Sequence, residues 1–235
     1  MARRPDPLQT LHDELVACRA CPRLVRWREQ VALEKRRAYR EDDYWGRPVP
    51  GFGDRMAALV IVGLAPGAHG ANRTGRVFTG DRSGDFLFAS LHRAGLANQA
   101  ESRSRGDGLA LNGAYVVTPV RCAPPDNAPT PAEFARCAPF LDRELALLPN
   151  ARVFLALGAH AWRATLEHLA RTGARPTSPR AAFAHGSLLR VPRSDREVVV
   201  VGSYHVSQQN TQTGRLTPSM FDAVVARALA ACASA

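Results

Sequence analysis

Two cysteine pairs, Cys18-x2-Cys21 and Cys122-x14-Cys137, supply four thiols that a fold can gather into one site. A C-x-x-C pair can hold one edge of a metal centre, and four thiolates satisfy either a zinc ion or an iron–sulfur cluster. The spacings match neither the zinc-ribbon nor the ferredoxin pattern. Zinc, a cluster and four buried free cysteines therefore all stay open on spacing alone. A fifth cysteine, Cys232, lies near the C-terminus and reads as a bystander. An odd count with no secretion signal argues against a disulfide framework.

A second concentration of chemistry follows the apolar run "MAALVIV", which breaks into "GLAPGAHGANRTGRVFTGD", Gly63 to Asp81. A strand that opens into glycines brings backbone N–H groups up against something anionic or planar. Gly70-x4-Gly75-Arg76-Val77 comes near a P-loop but lacks its Lys and Ser/Thr, and no G-x-G-x-x-G is present. Backbone amides, the aromatic Phe78 and the carboxylate Asp81 together suit a planar heterocycle better than a phosphate. The plain alternatives are a core aromatic for Phe78 and a helix N-cap for Asp81. A third stretch, "YHVSQQNTQTGRLT" from Tyr204 to Thr217, places His205 at a strand end before a polar, glutamine-rich loop. Six other histidines compete with it, and a lone histidine at a strand end is more often scaffold than catalyst.

The elements that must position these residues alternate. Ala57–Val62, Ala114–Val120, Arg152–Leu157 and Val198–Gly202 are short, nearly continuous apolar runs, as strands buried on both faces should be. Helical patterns occupy Ser83–Ala94, Ala132–Leu148, Ala159–Ala170 and Ser219–Ala231, and Thr130-Pro131 with Glu133 marks a helix start. Alternation of this kind predicts an α/β fold with a mostly parallel sheet of about four strands. Residues 8–30 read as mostly helical, 34–54 as a surface excursion, and 101–108 and 171–186 as basic, polar loops. Ligands of open parallel sheets sit beyond the carboxyl ends of the strands, so the segments after all four strands are the candidates for chemistry.

The formal charge is +10, and Lys35 is the only lysine among 31 Lys and Arg residues. A surface this basic favours a polyanion partner through counterion release. No run of about 18 apolar residues occurs, and nothing resembling a signal h-region follows the N-terminus. A soluble, cytoplasmic protein with no membrane partner is the expectation, organised as one domain over 1–235, with 1–56 forming an N-terminal helical segment and surface loop.

From about Cys18 to Met220 the sequence resembles the family 5 uracil-DNA glycosylases of bacteria and archaea. The resemblance rests on the Gly63–Asp81 and Tyr204–Thr217 stretches, on "VRCAPPDNAPTP" (120–131), and on the two cysteine pairs. It implies a three-layer α/β/α sandwich and a structural [4Fe–4S] cluster on Cys18, Cys21, Cys122 and Cys137, with zinc the lesser alternative. It also implies that a flipped base stacks on Phe78, that backbone amides near Leu64 and Ala65 meet its carbonyls, and that Asn127 contacts uracil. His205 would sit over O2, Asp81 would be the carboxylate associated with activity, and Gln208, Gln209, Asn210 and Arg215 would contact DNA. The glycine turn reads only "GLAPG", without the polar water-activating side chain of the uracil-specific branch, and Thr118 stands where a related branch has asparagine. Both departures imply a broader substrate range that includes hypoxanthine. The expected activity is a monofunctional, monomeric glycosylase acting on deaminated bases in double-stranded DNA, since no motif carries a lysine nucleophile. A uracil-restricted family 4-type enzyme, a non-catalytic damage-binding protein and a redox iron–sulfur protein are the alternatives.

Overall fold

A computed structural model describes residues 6–174, 182–194 and 196–234. The four apolar runs form a parallel core: β2 (Leu59–Val62), β3 (Ala114–Val117), β4 (Val153–Leu157) and β6 (Glu197–Ser203). Two antiparallel edge strands, β1 (Phe52–Gly53) and β5 (Leu188–Pro192), raise the sheet to six, ordered β1-β3-β2-β4-β6-β5. The additions escape sequence reading for physical reasons. One is two residues long, and the other ends on Pro192 with only Val191 buried, a pattern tolerated only at a sheet edge.

Strand residues alternate between the two faces, as the pleat requires. Leu59 and Ile61 join a core with Leu87, Phe88, Leu91 and Phe221, contributed by α4 (Arg82–Arg93) and α8 (Pro218–Ser234). Val60 and Val62 face the opposite core, with Leu141, Leu145, Trp162 and Leu169 from α5 (Pro131–Ala146) and α6 (Ala159–Arg171). These are the three layers expected. The start of α5 is a full capping box, with Thr130 and Glu133 satisfying each other's backbone N–H and Pro131 in the first turn.

The N-terminal segment is two helices, α1 (Pro7–Val16) and α2 (Pro22–Glu34), and the Cys18–Cys21 motif lies in the turn between them. A single turn, α3 (Ala71–Thr74), sits inside the glycine-rich stretch. The glutamine-rich segment read as a loop instead forms a short helix, α7 (Gln208–Gln212), because Asn210 and Thr211 N–H groups bond back to Ser207. The central part of the predicted basic loop at 171–186 lies outside the described residues. Among the described residues no helix is long and apolar enough to cross a membrane.

The chain runs from β2 outward to β3, then crosses back to β4 on the other side of β2. That reversal opens a crevice at the carboxyl ends of β2 and β4, the place where open α/β sheets bind ligands.

Candidate active site and cysteine centre

A cleft of about 230 Å³ opens at this crevice. It is lined by Leu64 after β2, by Leu157, Gly158, Ala159 and His160 at the end of β4, and by Tyr204, His205, Asn210 and Arg215 after β6. Phe183 closes one side. Three crossovers thus deliver residues more than 90 positions apart to one hollow.

His205 is placed by its neighbours. Gly158 adopts φ +92 at the start of α6, and a Cβ there would stand 3.3 Å from His205 Cβ. The Gly158 N–H donates to Ser203 O at 2.7 Å, and Asn210 Nδ2 donates to His205 O at 2.8 Å. Burial in the cleft pulls the His205 pKa down to about 4, so the imidazole is neutral at physiological pH.

Phe78 lies 6.2 Å from the His205 ring, centroid to centroid, with planes inclined by 36°. It is also buried in the apolar core, so the core reading and the site reading both describe it. Its φ of +49 lies in the left-handed region, which costs a non-glycine residue about 1–2 kcal/mol. Such strain persists where the surroundings dictate the conformation. Here a Cβ on Gly63 would come within 2.7 Å of the Phe78 ring, and one on Gly84 within 1.9 Å of its carbonyl oxygen. Two glycines therefore admit the aromatic face to the end of β2.

Asp81 is the N-cap of α4, its Oδ1 accepting from Gly84 N at 3.0 Å. Its other oxygen is set against the glycine turn: a Cβ at Gly70 would fall 1.9 Å from Oδ2, and one at Gly67 3.0 Å away. Burial raises the Asp81 pKa, opposed by backbone hydrogen bonds from Gly84 and Ser83 and by the charge of Arg73. Arg73 also donates to Gly80 O at 2.7 Å and to His69 O at 2.8 Å, pairs with Asp42 at 2.5 Å, and packs its guanidinium 3.9 Å from the Tyr39 ring centroid. The surface excursion thereby braces the loop that carries Asp81.

The sequence-predicted residues do not all converge. Leu64, His205, Asn210 and Arg215 line the cleft, with Phe78 beside His205. The Ala65 side chain packs against the cysteine core. Asn127 is exposed on a short 3-10 turn (Pro125–Asn127) at φ +54, and Gln208 and Gln209 are exposed on α7. The Leu157–His160 segment, Phe183 and Tyr204 were not singled out from sequence. The rule that ligands gather after parallel strands pointed at the first of these, since it directly follows the third predicted strand.

The cysteines converge from three places: Cys18 and Cys21 before α2, Cys122 after β3, and Cys137 within α5. Cys21, Cys122 and Cys137 share one buried cluster with Leu24 and Val120, and Cys18 lies near enough to act electrostatically on the other three. All four are free thiols. Burial pushes Cys122 up to about 12 and Cys137 up to about 11. Arg28 opposes this at Cys122, its Nη1 donating to Sγ at 2.9 Å, and Arg136 hydrogen-bonds Cys21. Four soft sulfur donors with positive groups around them are a donor set for a thiolate-bound centre. Among the described residues no three His, Cys, Asp or Glu side chains converge as tightly as a single metal ion requires.

Beside this centre, Glu144 is buried and accepts from Tyr115 Oη at 2.6 Å, Gly51 N at 2.9 Å and His12 Nε2 at 2.8 Å. Its second oxygen lies 2.5 Å from Arg121 Nη2, an ion pair in which both side chains are almost wholly buried.

Comparison with known proteins identifies the family. Residues 50–229 match the model of the uracil DNA glycosylase superfamily. A type-5 uracil-DNA glycosylase of Mycobacterium leprae is 53% identical over 213 residues, covering 90% of this chain and 90% of its own. The type-5 enzyme of Thermus thermophilus is 53% identical over 208 residues, 88% of this chain and 90% of its own. That of Pyrobaculum aerophilum is 44% identical over 218 residues, 93% of this chain and 90% of its own.

Proposed function

The chain belongs to the uracil-DNA glycosylase superfamily, and from that premise we propose that it extrudes deaminated bases from double-stranded DNA and hydrolyses their N-glycosidic bond, leaving an abasic site. Uracil-DNA glycosylase activity in base excision repair is the general assignment, supported by the type-5 relatives. The extension to hypoxanthine and xanthine is our reading of a pocket that lacks a polar side chain in "GLAPG". The observation that carries it is the convergence of Leu64, Gly158 and a neutral His205 on one cleft, with Phe78 beside it.

Breaking the bond passes through a cationic sugar while negative charge gathers on the departing base. Neutral His205 donates an N–H toward the base oxygen, where the developing charge makes a fixed donor most effective, worth about 3 kcal/mol. Asp81 lies at the sugar edge, stabilising the cation or orienting water. Phe78 is the stacking floor, and the backbone amides near Leu64 and Ala65 meet the base carbonyls. Asn127, exposed on its turn, would reach the base only once DNA is bound. Extruding the nucleotide costs a few kcal/mol, offset by phosphate contacts from the basic surface. Gln208, Gln209, Asn210 and Arg215 are assigned to the DNA side of the cleft. Lys35, the only lysine, lies outside every motif, consistent with a monofunctional reaction.

Cys18, Cys21, Cys122 and Cys137 would hold the [4Fe–4S] cluster, which when bound ties the α1–α2 turn, the segment after β3 and α5 together near the DNA surface. This link makes 1–235 one functional unit, acting as a monomer on nucleoid DNA.

The test is base release from duplexes carrying uracil, hypoxanthine or xanthine, with abasic sites revealed by alkali. Release from all three supports the broad reading. Release from uracil alone returns the enzyme to a uracil-restricted one, and DNA binding with no release refutes catalysis.

A further inference from the structure

The guanidinium of Arg28 is only 2% exposed and, among the described residues, has no buried carboxylate partner. Its one ion-pair neighbour among the described residues, Glu29, stands 4.0 Å away, is itself 43% exposed, and already makes a two-pronged contact with Arg19. Arg28 instead directs Nη1 to Cys122 Sγ at 2.9 Å and Nη2 to Cys18 O at 3.1 Å, leaving Nε without a partner. A buried cation is costly unless an anion compensates it. Four neutral thiols provide no such anion, whereas thiolates holding a metal cluster do. The positive lining extends further: Arg136 reaches Cys21, and the Arg121 backbone N–H bonds Cys137.

We propose that Arg28 is the internal counter-charge of the four-cysteine centre: by donating to Cys122 Sγ from a buried position it holds negative charge on that sulfur and sets the reduction potential of the cluster bound there. This rests on the cluster reading above. Reduction adds one electron, taken from an electrode or from dithionite, and therefore one negative charge to the centre. A fixed positive charge and a hydrogen bond to a ligand sulfur both favour the reduced state, so Arg28 raises the potential. Arg28 does not touch the base or the sugar. It acts through Cys122.

The full-length protein, purified anaerobically, would be compared as wild type, Arg28→Lys, Arg28→Gln and Arg28→Met. Iron and sulfide per chain are measured first, then the reduced fraction against applied potential by voltammetry and electron paramagnetic resonance. Removing the charge in Arg28→Met and Arg28→Gln should cut the reduced-to-oxidised ratio at a fixed potential at least tenfold, about 59 mV for a one-electron couple. Arg28→Lys, which keeps the charge, should recover most of that difference. Should Arg28→Met fail to fold, Arg28→Gln carries the same comparison. Loss of iron from folded Arg28→Met and Arg28→Gln but not from Arg28→Lys also supports the role. Loaded, neutral variants with the wild-type potential overturn it. Wild-type protein that holds zinc, or no iron, overturns the cluster reading itself, and the inference with it.

Discussion

Replacing Gly70 by alanine should disable the enzyme by displacing Asp81, while leaving every proposed substrate-contacting side chain chemically intact. A Cβ at position 70 would lie 1.9 Å from Asp81 Oδ2, 2.7 Å from Cγ and 3.1 Å from Cβ, so the whole side chain must move rather than one oxygen rotate. An ordinary contact for a Cβ begins at 3.4 Å, which sets the displacement at more than about 1 Å. A misplacement of about 1 Å at a reacting centre costs on the order of a hundredfold in rate, about 2.7 kcal/mol. The same movement breaks the bond from Gly84 N to Asp81 Oδ1, removing the N-cap of α4 at about 1 kcal/mol of stability. Gly67→Ala is the internal comparison, since its Cβ would meet the same oxygen at 3.0 Å, where a few tenths of an ångström of give suffices. Single-turnover release of uracil from a duplex, with urea unfolding in parallel, reads both quantities. We expect Gly70→Ala to be folded and about a hundredfold slower, and Gly67→Ala to lose less than about tenfold. A folded Gly70→Ala with wild-type rate would refute the placement of Asp81 as a reacting group.

Three further variants carry the remaining predictions. Asp81→Asn keeps a good N-cap but loses the charge, so release should fall by about 10²- to 10⁴-fold. Because burial raises the Asp81 pKa, its ionisation at neutral pH costs stability, and Asp81→Asn should unfold at equal or higher urea at pH 7. The His205 pKa of about 4 lies below the unfolded value near 6.5, so the unfolded chain binds a proton that the folded chain refuses. The stability His205 leaves intact above about pH 6.5 is therefore lost as pH falls toward 4, and His205→Gln should flatten that part of the pH–stability curve relative to wild type. The same variant should slow base release about a hundredfold at pH 7, while wild-type activity should show no His205 limb between about pH 5 and 8. Glu144→Gln leaves Arg121 buried without its counter-charge, and should cost about 3–5 kcal/mol in urea unfolding.

Much of the architecture is legible in the sequence. Strands buried on both faces must be apolar at every position, so "ALVIV" or "VVVV" announces itself. Thr130, Pro131 and Glu133 announced a helix start because capping is a local bargain among adjacent residues. The glycine turn, Phe78, Asp81 and His205 stood out in the sequence, but each with a plain structural alternative beside it, and the structure does place Phe78 in the apolar core and Asp81 at the N-cap of α4. Local signals reached no further than this. β5 was invisible because an edge strand with one buried residue has no continuous apolar run. Gln208–Gln212 was read as loop because a five-residue polar helix has no apolar face to betray it.

Convergence belonged to the tertiary structure alone. The sheet order brought the segment after β4 into the cleft between those after β2 and β6, and it left Ala65 on the cysteine side and Asn127 on the surface. It also set Arg28 against Cys122, 94 positions away. Residue types are inherited from the sequence, but which of them meet depends on strand order and crossover, and those are decided by how the whole chain buries its apolar faces.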